Sequence, residues 1–257
     1  MELMESLGLG GRVALITGGA RGIGRALALR LAQAGAHVAL NYVRAERAAA
    51  AAAAAAERAG VQACALRADV SRPEEAEGLV RAVYERYGRL DIVVCNAGVW
   101  TGAAVEALDE ALWDQVVDIN LKGTWAVCRA AVPVLKRRGW GRIVIVSSTA
   151  GQRGEAYYSN YAAAKGGQIA FTKSLAAELG ADGITVNAIA PGWVETEMTA
   201  AVFADAARRA EIERAIPLGR VAEADDVAWP ALFLCSEWAR HVTGEVLNVN
   251  GGSVLCG

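Results

Sequence analysis

Short runs dense in apolar, β-branched residues alternate along this chain with longer stretches whose apolar positions recur every three or four residues. The runs predict strands over 12–17, His37–Tyr42, a segment ending at Ala68, 90–95, 142–146, 184–189 and Val246–Val249. The periodic stretches between them predict helices. One follows the first strand through Leu27, Leu31 and Ala34 to Gly35, and one carries the alanine run 48–56, which has the highest helix propensity of any composition. One is opened by Ser71 and Pro73, a long one spans 109–138, one bears Tyr161 and Lys165, and one lies over 223–235. In the long helix Asn120 falls near the middle and Pro133 is expected to introduce a kink. The strands read as nearly continuous apolar runs, which points to a parallel sheet covered on both faces. The expected architecture is α/β, a single doubly wound domain over 1–257, because no linker or composition break divides the chain. Residues 193–216 interrupt the alternation and predict a mobile, partly helical covering over a site.

The turn after the first strand reads Gly18-Gly19-Ala20-Arg21-Gly22-Ile23-Gly24. A strand, a glycine turn and a helix in that order begin a dinucleotide-binding βαβ unit of Rossmann type. The glycines let the backbone approach a pyrophosphate, and the helix N-terminus holds it with free N–H groups and a favourable dipole. The second strand ends Asn41-Tyr42-Val43-Arg44, with Arg47 beyond. An acidic residue at such an end would bind ribose hydroxyls; here no carboxylate stands to repel a 2′-phosphate, and Arg21, Arg44 and Arg47 can meet one. The expected cofactor is therefore NADP(H), with NAD(H) as the alternative.

Composition narrows the function classes. Apolar residues make up 54% and charged residues 21%, which fits a well-filled core and excludes disorder. A formal net charge of −2 offers nothing to nucleic acid or an anionic membrane surface. Cys64, Cys95, Cys128, Cys235 and Cys256 form no C-x-x-C pair, and only His37 and His241 supply imidazoles, so reduced thiols and no metal site are expected. Residues 1–11 lack the pattern of a signal peptide and no long uncharged apolar stretch occurs, so a cytoplasmic protein is expected.

In Tyr161-Ala162-Ala163-Ala164-Lys165 the helical period puts the phenol and the ammonium on one face. A cation beside a phenol draws its pKa down from about 10 towards neutrality, where it can exchange a proton with a carbonyl or an alcohol. Together with Ser147-Ser148 upstream, this is the candidate chemistry of the chain.

Taken in order, Thr17-Gly18-x-x-x-Gly22-Ile23-Gly24, Asp69-Val70, Asn96-Ala97-Gly98, Asn120, Ser148, Tyr161-x-x-x-Lys165 and Pro191-Gly192 resemble the short-chain dehydrogenase/reductase family over nearly the whole chain. The resemblance implies a tetrad. Tyr161 is the general acid or base, Lys165 lowers its pKa and binds the nicotinamide ribose, Ser148 (rather than Ser147) hydrogen-bonds the substrate oxygen, and Asn120 holds a water linking Lys165 to solvent. It also implies cofactor contacts from Gly18, Arg21, Gly22, Ile23, Gly24, Tyr42, Arg44, Asp69, Val70, Asn96, Ala97, Gly98, Pro191, Gly192, Val194 and Thr196, with Asp69 against the adenine. Trp100, Tyr157 and Trp193 are expected as packing or pocket walls.

Within the family the chain is most similar to 3-oxoacyl-(acyl-carrier-protein) reductases, especially over 141–198. Those reductases dock an acidic carrier protein through an arginine where this chain has Asp182, and a second one that Arg137 or Arg138 could supply. An aspartate facing an acidic partner is repulsive and argues against acyl-carrier recognition. The expected activity is interconversion of a ketone and a secondary alcohol. Alternatives are a sugar, polyol or small-ketone dehydrogenase and, in another class, a dinucleotide-binding redox sensor without turnover. The resemblance further implies a homotetramer.

Overall fold

Strands β1 (Val13–Ile16), β2 (His37–Tyr42), β3 (Ala63–Arg67), β4 (Ile92–Cys95), β5 (Gly141–Val146), β6 (Ile184–Pro191) and β7 (Val246–Val249) make one parallel sheet in the order β3-β2-β1-β4-β5-β6-β7. The structure is a computed structural model that describes residues 2–256; Met1 and Gly257, the ends of the expected domain, lie outside the described residues. The helices are α1 (Glu2–Glu5), α2 (Gly22–Gln33), α3 (Glu46–Glu57), α4 (Pro73–Tyr87), α5 (Glu110–Val117), α6 (Gly123–Lys136), α7 (Ala150–Arg153), α8 (Ser159–Leu179), α9 (Ala200–Phe203), α10 (Ala206–Ala215) and α11 (Ala224–Cys235).

The strands are apolar throughout because each of their two faces is buried. On one side Ala14, Ile16, Val38, Leu40, Ile92 and Val94 pack under the apolar stripes of α2, α3 and α11. Their strand neighbours Val13, Leu15, Ala39 and Val93 point the other way, under α4, α6 and α8. The chain builds β1, β2 and β3 outward in one direction, then crosses back to lay β4 on the opposite side of β1. That reversal opens a crevice beyond the carboxyl ends of β1 and β4, where open α/β sheets bind ligands.

Two local expectations change. The long helix is interrupted by a π-helical turn, Asp118–Lys122, while α6 continues through Pro133, so its irregularity lies at Asn120 instead of at the proline. Helix α4 starts with Arg72 as N-cap; Ser71 spends its hydroxyl on Asp69 Oδ1 at 2.7 Å and caps nothing. Elsewhere the boundaries follow side-chain chemistry. Asp109 accepts from Leu112 N at the start of α5, and Glu223 and Asp226 form a reciprocal capping box at α11. Among the described residues all five cysteines are free thiols, no helix is long and apolar enough to cross a membrane, and no group of three His, Cys, Asp or Glu is placed to hold a metal.

Candidate active site

The turn between β1 and α2 is clasped from two sides. Gly18 adopts φ +63°, a conformation that favours glycine, and its N–H points at Asn41 Oδ1, 3.4 Å away. Asn41, buried at the end of β2, also donates to Ala68 O at 2.9 Å, so one amide ties the turn to the ends of β2 and β3. From the β4 side, Asn96 Nδ2 donates to Thr17 O at 2.9 Å and Gly18 O at 3.1 Å. Thr17 Oγ1 in return accepts from Asn96 N and Ala97 N at 2.9 and 3.0 Å. A Cβ on Gly24 would stand 2.5 Å from both Asn96 Nδ2 and Gly18 O, so only glycine lets α2 begin this close to the clasp. Thr196 comes from the far side, its methyl 3.2 Å from the position of a Cβ on Gly22. The sequence motif contained Thr17 without assigning it a role, and Asn41 was missed; its buried polar position in an apolar strand was the available signal.

At the end of β2 the side chains of Arg44 and Arg47 are exposed, as is that of Arg21 at the N-cap of α2, and none of the three makes an ion pair among the described residues, while Tyr42 is half-buried. Asp69 accepts from Ser71 N at 3.1 Å and from Ser71 Oγ, with Arg72 Nε 3.9 Å from its other oxygen. Val70 is buried and packs where Gly123 leaves room. Ile23 is half-buried in the first turn of α2.

The second cluster sits at the carboxyl end of β5. Ser147 is buried and donates to Lys165 O at 2.9 Å, which leaves Ser148 as the half-buried hydroxyl facing the Tyr161 phenol. Its Oγ accepts from Ala150 N at 3.1 Å. Lys165 is buried, donates from Nζ to Val146 O at 2.7 Å, and lies 5.5 Å from the Tyr161 ring centroid. Asn120 is fully buried. Its amide donates to Val99 O and Val116 O and accepts from Val99 N, and its Oδ1 lies 2.5 Å from where a Cβ on Gly98 would be. The same point is 3.8 Å from Lys165 Nζ, so Gly98 joins the glycine clasp to the tetrad. The π turn that aims Asn120 is held by Gln168, whose Nε2 donates to Asn120 O and Thr124 Oγ1, each at 2.8 Å. Thr124 Oγ1 gives its own hydrogen to Asn120 O at 2.7 Å, which fixes the Gln168 amide orientation. Gln168 carried no motif and was not legible in the sequence.

The electrostatics correct the expectation of a lowered tyrosine pKa. Burial pushes the Tyr161 phenol up to about 12, against the Ser148 hydrogen bond, which favours the phenolate, and with the Glu155 carboxylate, which opposes it. Lys165 does not enter that balance because burial lowers its own pKa to about 7. At neutral pH the phenol therefore holds its proton and Lys165 is poised between charged and neutral.

Beyond β6, Pro191 O accepts from Thr149 N at 3.0 Å, Gly192 packs on Asn250, and Val194 is buried. Trp193 and Trp100 meet edge to face, with centroids 5.5 Å apart, and Trp100 stacks on Tyr158 at 4.5 Å. Tyr157, expected as a wall, is 69% exposed; its neighbour Tyr158 takes that place. The covering segment is partly helical as expected, with α9 and α10.

A family model described as Enoyl-(Acyl carrier protein) reductase matches residues 18–253, which takes in the glycine clasp and the Tyr161 cluster together. The chain belongs to the short-chain dehydrogenase/reductase family. A 3-oxoacyl-[acyl-carrier-protein] reductase FabG from Staphylococcus aureus is 38% identical over 242 residues, covering 94% of this chain and 98% of that one. A FabG from Aquifex aeolicus is 40% identical over 244 residues, covering 95% and 98%. The crystal structure of levodione reductase superposes with a TM-score of 0.90 at 36% identity, covering 95% of this chain and 97% of that one. The protein is thus a short-chain dehydrogenase/reductase, an oxidoreductase of a family that uses nicotinamide dinucleotides.

Proposed function

We propose that this protein is an NADP(H)-dependent oxidoreductase that interconverts a ketone and a secondary alcohol. The observation that carries the reading is the convergence of Ser148, Tyr161 and Lys165 on one point at the end of β5, joined through Gly98 to the clasped glycine turn. The residues present fit a dinucleotide. Because Gly24 has no Cβ to meet Asn96 Nδ2 and Gly18 O, α2 begins tight against the glycine turn, and its N-terminal N–H groups would face a pyrophosphate held there. Arg21 and Arg44 are unpaired cations beside a strand end that carries no carboxylate, which supports NADP(H). Gly18, Gly22, Ile23, Gly24, Tyr42, Asp69, Val70, Asn96, Ala97, Pro191, Gly192, Val194 and Thr196 would line its length.

The dinucleotide, when bound, supplies or accepts the hydride. The chain's own residues handle the oxygen and its proton. Ser148 Oγ and Tyr161 Oη orient the carbonyl oxygen, and Tyr161 delivers the proton as negative charge grows there. A phenol held protonated by burial suits reduction, and Ser148 eases its loss of that proton. Lys165 in its charged form stabilises the resulting phenolate and binds the ribose, and its pKa near 7 lets it exchange protons at neutral pH. Asn120 steers a water towards Lys165 from the π turn.

Similarity to the two FabG reductases supports a 3-oxoacyl thioester as substrate. A second reading, a small carbonyl compound without a carrier protein, is favoured by Asp182. It pairs with Lys136 at 2.8 Å, leaving no free cation at that docking position. The family resemblance carries the expectation of a homotetramer, and the free thiols that of a cytoplasmic location.

The test is the loss of NADPH or NADH absorbance against 3-oxoacyl thioesters, diketones and sugars. Activity with NADPH is expected, with Tyr161→Phe abolishing it while NADPH still binds. Arg44→Ala is expected to erode the NADPH preference by about ten- to a hundredfold, the worth of one hydrogen bond to a charged group. Bound cofactor with silence across the panel would refute catalysis in favour of a redox sensor, and a wild-type preference for NADH would refute the arginine assignment.

A further inference from the structure

The ends of β4, β5 and β6 carry a second set of side chains that the proton chemistry does not use. Trp100 follows β4, Trp193 follows β6, and Glu155 and Tyr158 lie on the turn that leads from α7 into α8, three to six residues ahead of Tyr161. All four follow the carboxyl ends of β4, β5 and β6, on the side of the sheet away from β2 and β3. Trp100 and Tyr158 stack with their planes nearly parallel, 11° apart, and Trp193 stands at 90° to Trp100. Phe203 from α9 closes on Trp193 with centroids 5.8 Å apart, so both loops beside the site meet through rings. Trp100 Nε1 donates to Glu155 Oε2 at 3.3 Å. The other oxygen, Oε1, accepts no hydrogen bond among the described residues, although Glu155 is only half-exposed and close enough to Tyr161 to act on its phenol.

This arrangement is held at a cost. Tyr157 is the only non-glycine among the described residues with a positive φ, +67°, a conformation that costs a side-chain-bearing residue about 1–2 kcal/mol. The strained residue is itself exposed; what it achieves is the placement of Tyr158 against Trp100 and of Glu155 under the indole N–H. A half-buried carboxylate with one satisfied and one open oxygen, framed by indole and phenol rings, is complementary to a ligand with an apolar ring face and a hydroxyl donor. A long flexible acyl chain would supply neither the planar contact nor the donor, and would leave Oε1 desolvated without a partner.

We propose that Glu155 and the ring wall of Trp100, Tyr158 and Trp193 select a compact cyclic hydroxyketone, or the corresponding diol, whose ring packs on the wall and whose hydroxyl donates to Glu155 Oε1. This rests on the ketone–alcohol reading above and names its substrate class. Glu155 is a specificity residue: it receives the substrate's second oxygen while Ser148 and Tyr161 receive the first.

The experiment compares 2-hydroxycyclohexanone and 4-hydroxycyclohexanone with cyclohexanone and with acetoacetyl-N-acetylcysteamine. NADPH consumption gives kcat/KM, and quenching of tryptophan fluorescence in the NADP-loaded protein gives binding independently of turnover. At least one hydroxycyclohexanone is expected to exceed cyclohexanone by about ten- to a hundredfold in kcat/KM, the effect of one hydrogen bond to a carboxylate. Glu155→Gln keeps an acceptor for the indole but replaces the charged acceptor facing the ligand by a neutral N–H₂, so the hydroxyl preference should fall to that of a neutral hydrogen bond. Glu155→Asp, which keeps the charge, should retain part of it, and Trp193→Phe, which leaves the Trp100 indole on Glu155, should weaken binding of every ring ligand while sparing the ratio. Turnover of the linear thioester at or above that of the rings, or an unchanged ratio in Glu155→Gln, overturns the inference and leaves the ketone–alcohol reading standing. Quenching by the hydroxycyclohexanones without turnover of any substrate upholds the site and refutes the reaction. Absence of both turnover and quenching overturns both.

Discussion

Replacing Gly24 by alanine tests the physical heart of the cofactor site. The new Cβ would stand 2.5 Å from Asn96 Nδ2 and 2.5 Å from Gly18 O, closer than carbon approaches either atom, and both belong to the clasp. Asn96 can yield only by giving up its bonds to Thr17 O and Gly18 O, each worth about 1 kcal/mol net. If it does not yield, the start of α2 shifts, an overpacking cost of about 1–3 kcal/mol. Alanine's better helix propensity works the other way by about 1 kcal/mol, too little to offset the clash. A net loss of roughly 1–2 kcal/mol corresponds to a fall in Tm of about 2–8 °C for a chain of this size. Because the displaced groups form the turn that would face the pyrophosphate, Kd for NADPH should rise at least about tenfold. Thermal unfolding and fluorescence titration read the two effects. Adding Asn96→Ala to Gly24→Ala should cost less than the two single losses together, since both break the same bonds. Gly180 is the control: its φ is −58° and a Cβ there meets no heavy atom within 4 Å, so Gly180→Ala should stabilise by about 0.4–1 kcal/mol. A Gly24→Ala protein with wild-type Tm and Kd would refute the close-approach argument.

Two further outcomes are expected. Burial lowers Lys165 to about 7 in the fold from the ordinary lysine value, so the unfolded chain binds more protons between about pH 7 and 10.5 and stability from this group rises with pH across that window. The Tm advantage of Lys165→Met over wild type should accordingly shrink between pH 7 and 10, and a difference independent of pH would refute the burial assignment. Gln168→Leu removes both donors that hold the π turn, which should cost about 1–3 kcal/mol in urea unfolding and lower kcat more than it raises KM, because Asn120 is misplaced and not lost. A destabilised variant with wild-type kcat would reduce Gln168 to a structural residue.

Much of this molecule is legible one residue at a time. Apolar runs and period-3.6 patterning place all seven strands and the principal helices, since burial on both sheet faces forces continuous apolar runs and a single buried face forces a helical stripe. The spacing of Tyr161 and Lys165 by four residues places them on one helical face, and glycines at 18, 22 and 24 mark a turn that side chains would fill. What local pattern does not carry is the set of interactions between residues far apart in sequence. Asn41 meets Gly18 across 23 positions, Asn96 meets Thr17 across 79, and Gln168 meets Asn120 across 48. Those amides have no periodic signature because their partners are backbone groups whose location depends on strand order.

The sequence by itself determines the architecture, the glycine turn and the Tyr161–Lys165 pairing, because these follow from periodicity and from what glycine and alanine permit. Tertiary structure decides the rest. It sends Ser147 to the Lys165 carbonyl and leaves Ser148 for the Tyr161 phenol, and it places the helix irregularity at Asn120. It also reverses the expected electrostatics of the pair. Spacing alone predicts a cation lowering a phenol's pKa, whereas desolvation, which exists only once the sheet and helices have closed around both groups, raises the tyrosine and lowers the lysine.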